Sequence, residues 1–502
     1  MGIATTLLIL SLFLILLLVA INYCRILLYW RRQNVDSFSS LKINMESKKR
    51  HLGLVLSEFY HVMYREKKPL MVSPSFLLTT VMIQDLDIIR DLMMTNFEYF
   101  SDRGGFVNHQ DPLSYTIVAL TYNVWKPTRQ KLSPTFTPAK LKTMFPTLVQ
   151  IGEQFVNVIR SQLDAGVEDL NIDDLCSRFT TDVIGNIAFG IECNSLVNPS
   201  TEFRLYGEKA TDFNIHPIFN IIGGKYPTLF RLLNLKMFNK EMTNFFTRIV
   251  RQTIEYREAN NIRRNDFMDL LIELKKSDDG SDGFALSLEM IVAQVFSFFI
   301  AGYGTSSATL SYALYELAKN PAEQTKVRQN IEEVLVKSKN NTITYDGLQE
   351  MTYLQQAIQE TLRKYPIVPN LRRMCRRPCT LHDSNGRVAC EIPKDTFIGI
   401  SVYGIHHNPD YYPQPEIFRP ERFSDAEIAK RPACSYLPFG IGPRACMGLR
   451  FAKMQVAFCL ALLLTHFKFS FSNTTPKDLS FDPGNPVFLT VKGGINLKVE
   501  KL

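Results

Sequence analysis

The sequence predicts a mainly α-helical fold with small β-sheets, of the α+β class, behind one N-terminal transmembrane helix. Three stretches carry that expectation. Gly2–Cys24 has no charged side chain and, with its flanks, is long enough to cross a bilayer as a helix of about twenty residues. Leu288 to about Asn320 is apolar nearly all round, so it reads as a helix that crosses a core and not as a surface helix. PLMVSPSFLLTTVMI, from Pro69, has short β-branched runs broken by proline and reads as a hairpin of a small sheet.

The 502 residues are 46% hydrophobic and 21% charged, ample for a large buried core. No linker divides the body. The organisation expected is a membrane anchor at 1–30, a juxtamembrane linker at 31–68 and one large catalytic domain at 69–502. Net charge is +8 and the pI about 8.9. That excess fits a membrane-surface protein or one that docks an acidic partner; no basic run is dense enough for nucleic acid. Nine cysteines at irregular spacing give no disulfide framework. Cys375 and Cys379 have no matching second pair, which argues against zinc and for reduced thiols facing the cytosol.

A cleaved signal peptide would want a basic start and small residues at a cleavage site, and neither is evident. Arg25, Arg31, Arg32, Lys42, Lys48, Lys49 and Arg50 all follow the span. The positive-inside rule then puts the body in the cytosol. Tyr23, Tyr29 and Trp30 suit the membrane interface.

Leu86–Phe100 reads as a helix. Trp125 and Arg129 are four apart and share a helix face; Pro127 between them belongs in the first turn, where its missing N–H costs nothing. Arg178–Leu196 is apolar and rich in small residues, a core helix. Phe203–Phe230 is rich in aromatics, and Ser277–Gly283 is a short acidic loop. Ser287 caps the long helix, and Pro321 ends it. Within it lies AGYGTSS, Ala301–Ser307, where an isolated Thr305 hydroxyl would bond the carbonyl one turn back. Leu348–Tyr365 is a further helix stopped by Pro366, with Glu360 and Arg363 at i, i+3. His406 and His407 are adjacent, face different ways and read as turn and surface residues.

FGIGPRACMG, Phe439–Gly448, organises the rest. Gly440 and Gly442 permit positive φ or a close backbone approach. Arg444 sets a fixed charge two residues before Cys446. After Gly448 a long apolar helix begins. The sulfur therefore precedes a helix N-terminus, a setting that favours thiolate. Such a thiolate is either a nucleophile or a metal ligand.

The pattern F-x-x-G-x-R-x-C-x-G resembles the haem-binding loop of the cytochrome P450 family at Phe439, Gly442, Arg444, Cys446 and Gly448. The resemblance covers about Pro69 to Leu502, and Arg178–Leu196 is similar to the corresponding helix of insect microsomal family-six enzymes. It implies the P450 fold, haem b with Cys446 as its thiolate ligand, and a loop shaped by Phe439, Gly440 and Gly448. It implies propionate contacts from Arg444, Trp125, Arg129 and Arg373, and a structural triad of Glu360, Arg363 and Arg422 (in PERF, Pro420–Phe423).

In the long helix the family pattern ends in acid–Thr. Ala301, Gly302, Thr305 and Ser306 match it, but the acid position is Gly304. Thr305 is then the residue implied to deliver protons. Phe106, Leu113, Phe298, Ala301, Val368 and Phe488 are implied to line an apolar substrate pocket, and Phe203–Phe230 to form a lid over it. Two further departures stand out. Arg31–Lys68 has no proline-rich hinge, and Tyr122 replaces the glycine usual three residues before the tryptophan.

The function implied is monooxygenation of a lipophilic molecule such as a xenobiotic, steroid or fatty acid. Electrons come from NADPH through NADPH–cytochrome P450 reductase, with cytochrome b5 a further partner, in the endoplasmic reticulum membrane. Lys430, Arg431, Arg450 and Lys453 are candidates for the docking patch. Two alternatives remain: a haem-thiolate isomerase or dehydratase acting on peroxides, which Gly304 leaves open, and a non-catalytic haem protein that binds lipophiles.

Overall fold

The computed structural model describes residues 2–75, 79–211, 223–264, 266–277, 286–383 and 386–502. Helix α1 (Gly2–Arg32) emerges from the body. Among the described residues three helices are long and apolar enough to cross a membrane; two lie mostly inside the body, whereas the span Thr5–Arg32 has none of its apolar window buried there.

The segment 31–68 is folded, a correction to the linker reading. It forms α2 (Ser40–Ser47) and α3 (Leu52–Arg65), and Ser37 pairs with Val72 at the edge of a sheet. Ser39 caps α2 by accepting from the Lys42 N–H at 3.3 Å. Without proline the backbone is free to make these turns. Trp30 is also corrected. It is 3% exposed and shares an apolar cluster with Val35 and Tyr60. The Tyr29 hydroxyl donates to the Glu391 carbonyl at 2.9 Å. Both aromatics thus bind the end of the anchor to the body.

Strands β1 (Leu70–Ser73) and β2 (Thr80–Ile83) form the expected hairpin. They belong to a four-stranded sheet of order β1–β2–β4–β3, with β3 (Asn370–Met374) and β4 (Phe397–Ser401). The β2–β4 pair is parallel and the others are antiparallel. Two smaller sheets complete the strand content among the described residues. The helix expected at Leu86–Phe100 is divided into an α-turn (Leu86–Arg90), a π-turn (Asp91–Thr95) and a 3-10 turn (Phe97–Phe100).

Helix α4 (Tyr122–Leu132) carries Trp125 and Arg129. Pro127 sits in its second turn and not the first, because the helix already begins after Thr121. Helix α5 (Ile172–Ile184), continued by a π-turn to Phe189, is buried as a core helix should be. It packs against α6 (Leu288–Lys319), whose cap is Ser287, accepting from the Met290 N–H at 3.2 Å. Gly302 permits their close approach: a Cβ there would lie 2.4 Å from Ile184 Cδ1. The helix expected at Leu348–Tyr365 is broken at Met351, and its longer part is α7 (Thr352–Lys364). Helix α8 (Val402–His406) follows β4, and α9 (Leu449–His466) follows the cysteine loop. Residues 212–222 of the lid region and 278–283 of the acidic loop lie outside the described residues.

Candidate active site

The cysteine loop runs between β4–α8 and α9. Gly440 and Gly442 both take left-handed φ, 67° and 71°. At Gly442 the neighbour also requires glycine, since a Cβ would lie 2.0 Å from the Met93 carbonyl oxygen. That contact seats the loop on the π-turn Asp91–Thr95. The Cys446 N–H donates to the Phe439 carbonyl at 2.9 Å, and the Ala445 N–H to that of Gly442 at 2.9 Å.

Cys446 opens into a cavity of about 1530 Å³. It counts as exposed by surface area, but the space it meets is this pocket and not bulk solvent. Burial pushes the thiol up; the Gly448 N–H, Arg103 and Arg129 pull the other way. The helix N-terminus alone therefore does not make a free thiolate. An apolar enclosure disfavours the charged form until a cation sits against it.

The cavity wall is one-signed. Arg103, Arg129, Arg372, Arg373 and Arg444 line it, with Lys48, Lys209 and Lys453, and no carboxylate does among the described residues. Burial, then Arg103, lowers Arg444 to about 8. Burial, then Arg129, lowers Arg103 to about 10. Arg373 is held well below its ordinary value by burial and by both of these neighbours. Its Nε is buried without a hydrogen-bond partner. Clustered buried cations of this kind call for anions. Two carboxylates entering above Cys446 would answer them, so this chemistry fits a haem with its propionates.

The arginines differ in what they already hold. Arg444 donates to the carbonyls of Ser101 (2.9 Å), Ile117 (3.0 Å) and Leu120 (2.6 Å) and stacks 4.2 Å from the Trp125 ring centroid. Arg129 lies 5.8 Å from the same ring. Arg444 thus clasps the chain segment 101–120 as well as facing the cavity. Arg103 and Arg372 were missed by sequence reasoning. No local pattern marks Arg103. Arg372 is hidden beside Arg373, and only strand alternation separates their faces.

Ala301, Gly302 and Thr305 of α6 face the cavity, with Phe298, Val368, Phe488, Phe439 and Gly448; Gly304 and Gly440 do not line it. The Thr305 hydroxyl donates to the Ala301 carbonyl at 2.5 Å. Two of the sequence-derived pocket residues are elsewhere. Phe106 packs edge-on against Phe230, centroids 5.3 Å apart, and Leu113 is wholly buried in the core. Both sit in the loop after Ser101, where no periodicity reports direction.

Below the loop, Glu360 accepts from Arg363 Nε at 2.7 Å and Nη2 at 3.0 Å, and from Arg422 Nε at 3.2 Å. The Arg419 N–H adds a fourth bond at 3.0 Å. Glu360 and Arg363 are 0% exposed and Arg422 is 3%. The reading of His406 and His407 as turn and surface residues is corrected: the end of α8 and its cap residue turn inward, and both are buried. His406 Nε2 accepts from the Leu437 N–H at 2.8 Å, and Nδ1 lies 3.2 Å from the Arg363 carbonyl. Burial, then Arg363, pushes His406 down to about 3. Of the proposed docking cations, Lys430 and Arg450 are exposed. Arg431 instead lies over the Phe423 and Tyr412 rings at 4.6 and 4.8 Å, and burial lowers Lys453.

A cysteine facing a basic cavity, under a helix that carries a small-residue step and a threonine, is an arrangement that fits a haem-thiolate protein. A model of the family described as Cytochrome P450 matches residues 53–499, and the chain belongs to that family. It is 41% identical over 482 residues to the probable cytochrome P450 6a23 of Drosophila melanogaster, covering 94% of this chain and 95% of that one. Against cytochrome P450 6a8 of the same fly it is 40% identical over 487 residues, 95% of each chain. Against cytochrome P450 6a2 the identity is 39% over 510 residues, 97% and 99% of the two chains. It is thus a divergent member of the insect family-six group, a haem monooxygenase of the oxidoreductase class.

Proposed function

We propose that the protein hydroxylates or epoxidises a lipophilic small molecule on the cytosolic face of the endoplasmic reticulum. The observation that carries this reading is Cys446 facing a cavity that is walled by arginines and, among the described residues, free of carboxylates. Cys446 thiolate would hold the haem iron. Arg129, Arg373 and Trp125, joined by Arg103 and Arg444, would hold the propionates by charge-assisted bonds. The haem, when bound, supplies oxygen activation, and its thiolate ligand favours O–O cleavage.

The chain does the rest. Phe298, Ala301, Val368 and Phe488 exclude water and hold the apolar substrate. Thr305 turns its hydroxyl from the Ala301 carbonyl into the cavity and passes a proton from water. Gly304 leaves that relay without a side-chain acid. Lys430 and Arg450 offer exposed charge to NADPH–cytochrome P450 reductase, and cytochrome b5 is a second electron donor for the same face.

The test is the Soret band of the reduced, carbon monoxide-bound protein. It is expected at the red-shifted position of thiolate ligation and lost in Cys446→His; a band unchanged by that substitution overturns the ligand. NADPH consumption with reductase, set against turnover of a hydroperoxide alone, separates the monooxygenase from the isomerase reading.

A further inference from the structure

Among the five arginines that line the cavity, Arg372 stands apart from the four that would serve the haem carboxylates. Arg373 pairs in register with Ile398, and its neighbour Leu371 reaches 3.9 Å from the position of a Cβ on Gly440. That face of the sheet looks toward the cysteine loop. Arg372 pairs with Gly399, which pairs with Met82. Strand alternation therefore turns Arg372 to the opposite face. The same cavity is also lined by Phe38, Ile43, Leu52, Leu56 and Met82, and by Lys48 at the C-terminal end of α2.

Arg372 is held but not neutralised. Its Nε donates to the Arg103 carbonyl at 3.1 Å, and its guanidinium lies 5.3 Å from the Phe397 ring centroid. Neither terminal nitrogen donates to a protein group among the described residues. Burial, then Arg103, lowers it to about 10, so it stays charged at neutral pH. Arg103, Arg129, Arg373 and Arg444 would serve the two propionates, and among the described residues no carboxylate lines the wall beside Arg372. An unpaired guanidinium in an apolar enclosure is costly. Its planar fork is matched by a carboxylate.

We propose that Arg372 is the anion site of this cavity and that the substrate is a lipophilic carboxylic acid. The proposal rests on the haem-thiolate reading above and narrows it. The acid group forks onto Arg372, and Lys48 adds a second positive charge to the same cavity wall. The apolar chain lies against Val368, Phe298 and Phe488. Neutral molecules of equal length leave Arg372 unpaired and bind less well.

The test uses the haem-loaded full chain and three probes: tetradecanoic acid, methyl tetradecanoate and 1-tetradecanol. Binding is read from the spin-state shift of the Soret band and, independently, by equilibrium dialysis. The acid is expected to bind at least about tenfold tighter than ester or alcohol. Arg372→Gln brings the ratio near one, and Arg372→Lys keeps part of it. Equal affinities in the wild type, no acid binding, or an acid preference that survives Arg372→Gln overturns the proposal. If Arg372→Gln does not fold, a wild-type acid preference that fails to weaken with added salt overturns it instead. The carbon monoxide band is recorded first on each protein. Its absence from the wild type strikes the haem-thiolate reading; its presence with no acid preference strikes only the anion site.

Discussion

The Leu437 N–H donates to Nε2 of His406 at 2.8 Å. This bond joins the Glu360–Arg363–Arg422 triad to the approach of the cysteine loop, because the Arg363 Nη1 donates to the His406 carbonyl at 3.0 Å. The histidine must stay neutral to accept. Its proton sits on Nδ1, toward the Arg363 carbonyl. A neutral ring bonded to a buried arginine is a structural part, and the folded chain resists its protonation.

That gives a pH prediction. His406 falls to about 3 in the folded chain from an ordinary 6.5. Below about 6.5 the unfolded chain takes up a proton that the folded chain refuses, so stability falls as pH falls toward 3. The loss is about 1.4 kcal/mol per unit. The thermal midpoint should drop through that window, and His406→Gln should flatten the slope. His407 and His51 are lowered by burial too, so the slope is reduced and not abolished. An identical slope in the variant would refute the assignment.

Removing the buried carboxylate should be severe. Glu360→Ala leaves Arg363 and Arg422 without their counter-ion, at a cost of about 3–5 kcal/mol. Thermal midpoint and haem content of the purified protein should both fall. Glu360→Gln, which keeps the shape and one accepting oxygen but turns an N–H2 donor toward the arginines, should lie between. Wild-type haem content in Glu360→Ala would show that the triad does not support the loop.

The two loop glycines should respond unequally. At Gly442 an alanine Cβ meets a carbonyl oxygen at 2.0 Å; at Gly440 the nearest atoms lie at 3.9 Å. Both pay the left-handed conformation, about 1–2 kcal/mol. Gly440→Ala should therefore retain a thiolate carbon monoxide band at lowered stability, and Gly442→Ala should lose it. Equal retention would mean that the Asp91–Thr95 turn yields easily.

Coupling should be poor. The Thr305 hydroxyl is bonded to Ala301 at 2.5 Å, and position 304 has no side chain to relay protons. Positioned acid–base groups typically contribute about 10²- to 10⁴-fold. Product per NADPH should be low and hydrogen peroxide high. Gly304→Glu should raise the ratio, and Thr305→Ala should lower it further, at equal haem content. Near-complete coupling in all three proteins would sink the idea.

Topology has a direct check. Protease added to intact microsomes should digest the body while α1 remains. Full protection would place the body in the lumen.

The sequence by itself determined what is local in the chain. The uncharged Gly2–Cys24 run, the period of Leu288–Asn320 and the spacing around Cys446 each lie within one element, where hydropathy and residue spacing report structure directly. The same holds for Glu360 and Arg363, one turn apart on one helix. Tertiary structure alone decided what depends on direction and neighbours. Trp30 reads as a membrane-interface residue and the two histidines as turn and surface residues, until the fold buries all three. Phe106 and Leu113 sit in an aperiodic loop, where no pattern shows which way a side chain points. Arg372 and Arg373 are adjacent in sequence, and only strand pairing sends them to opposite faces. The charge balance of the cavity is likewise invisible along the chain, because its members come from residues 48 to 453 and meet only when the sheet and helices close around them.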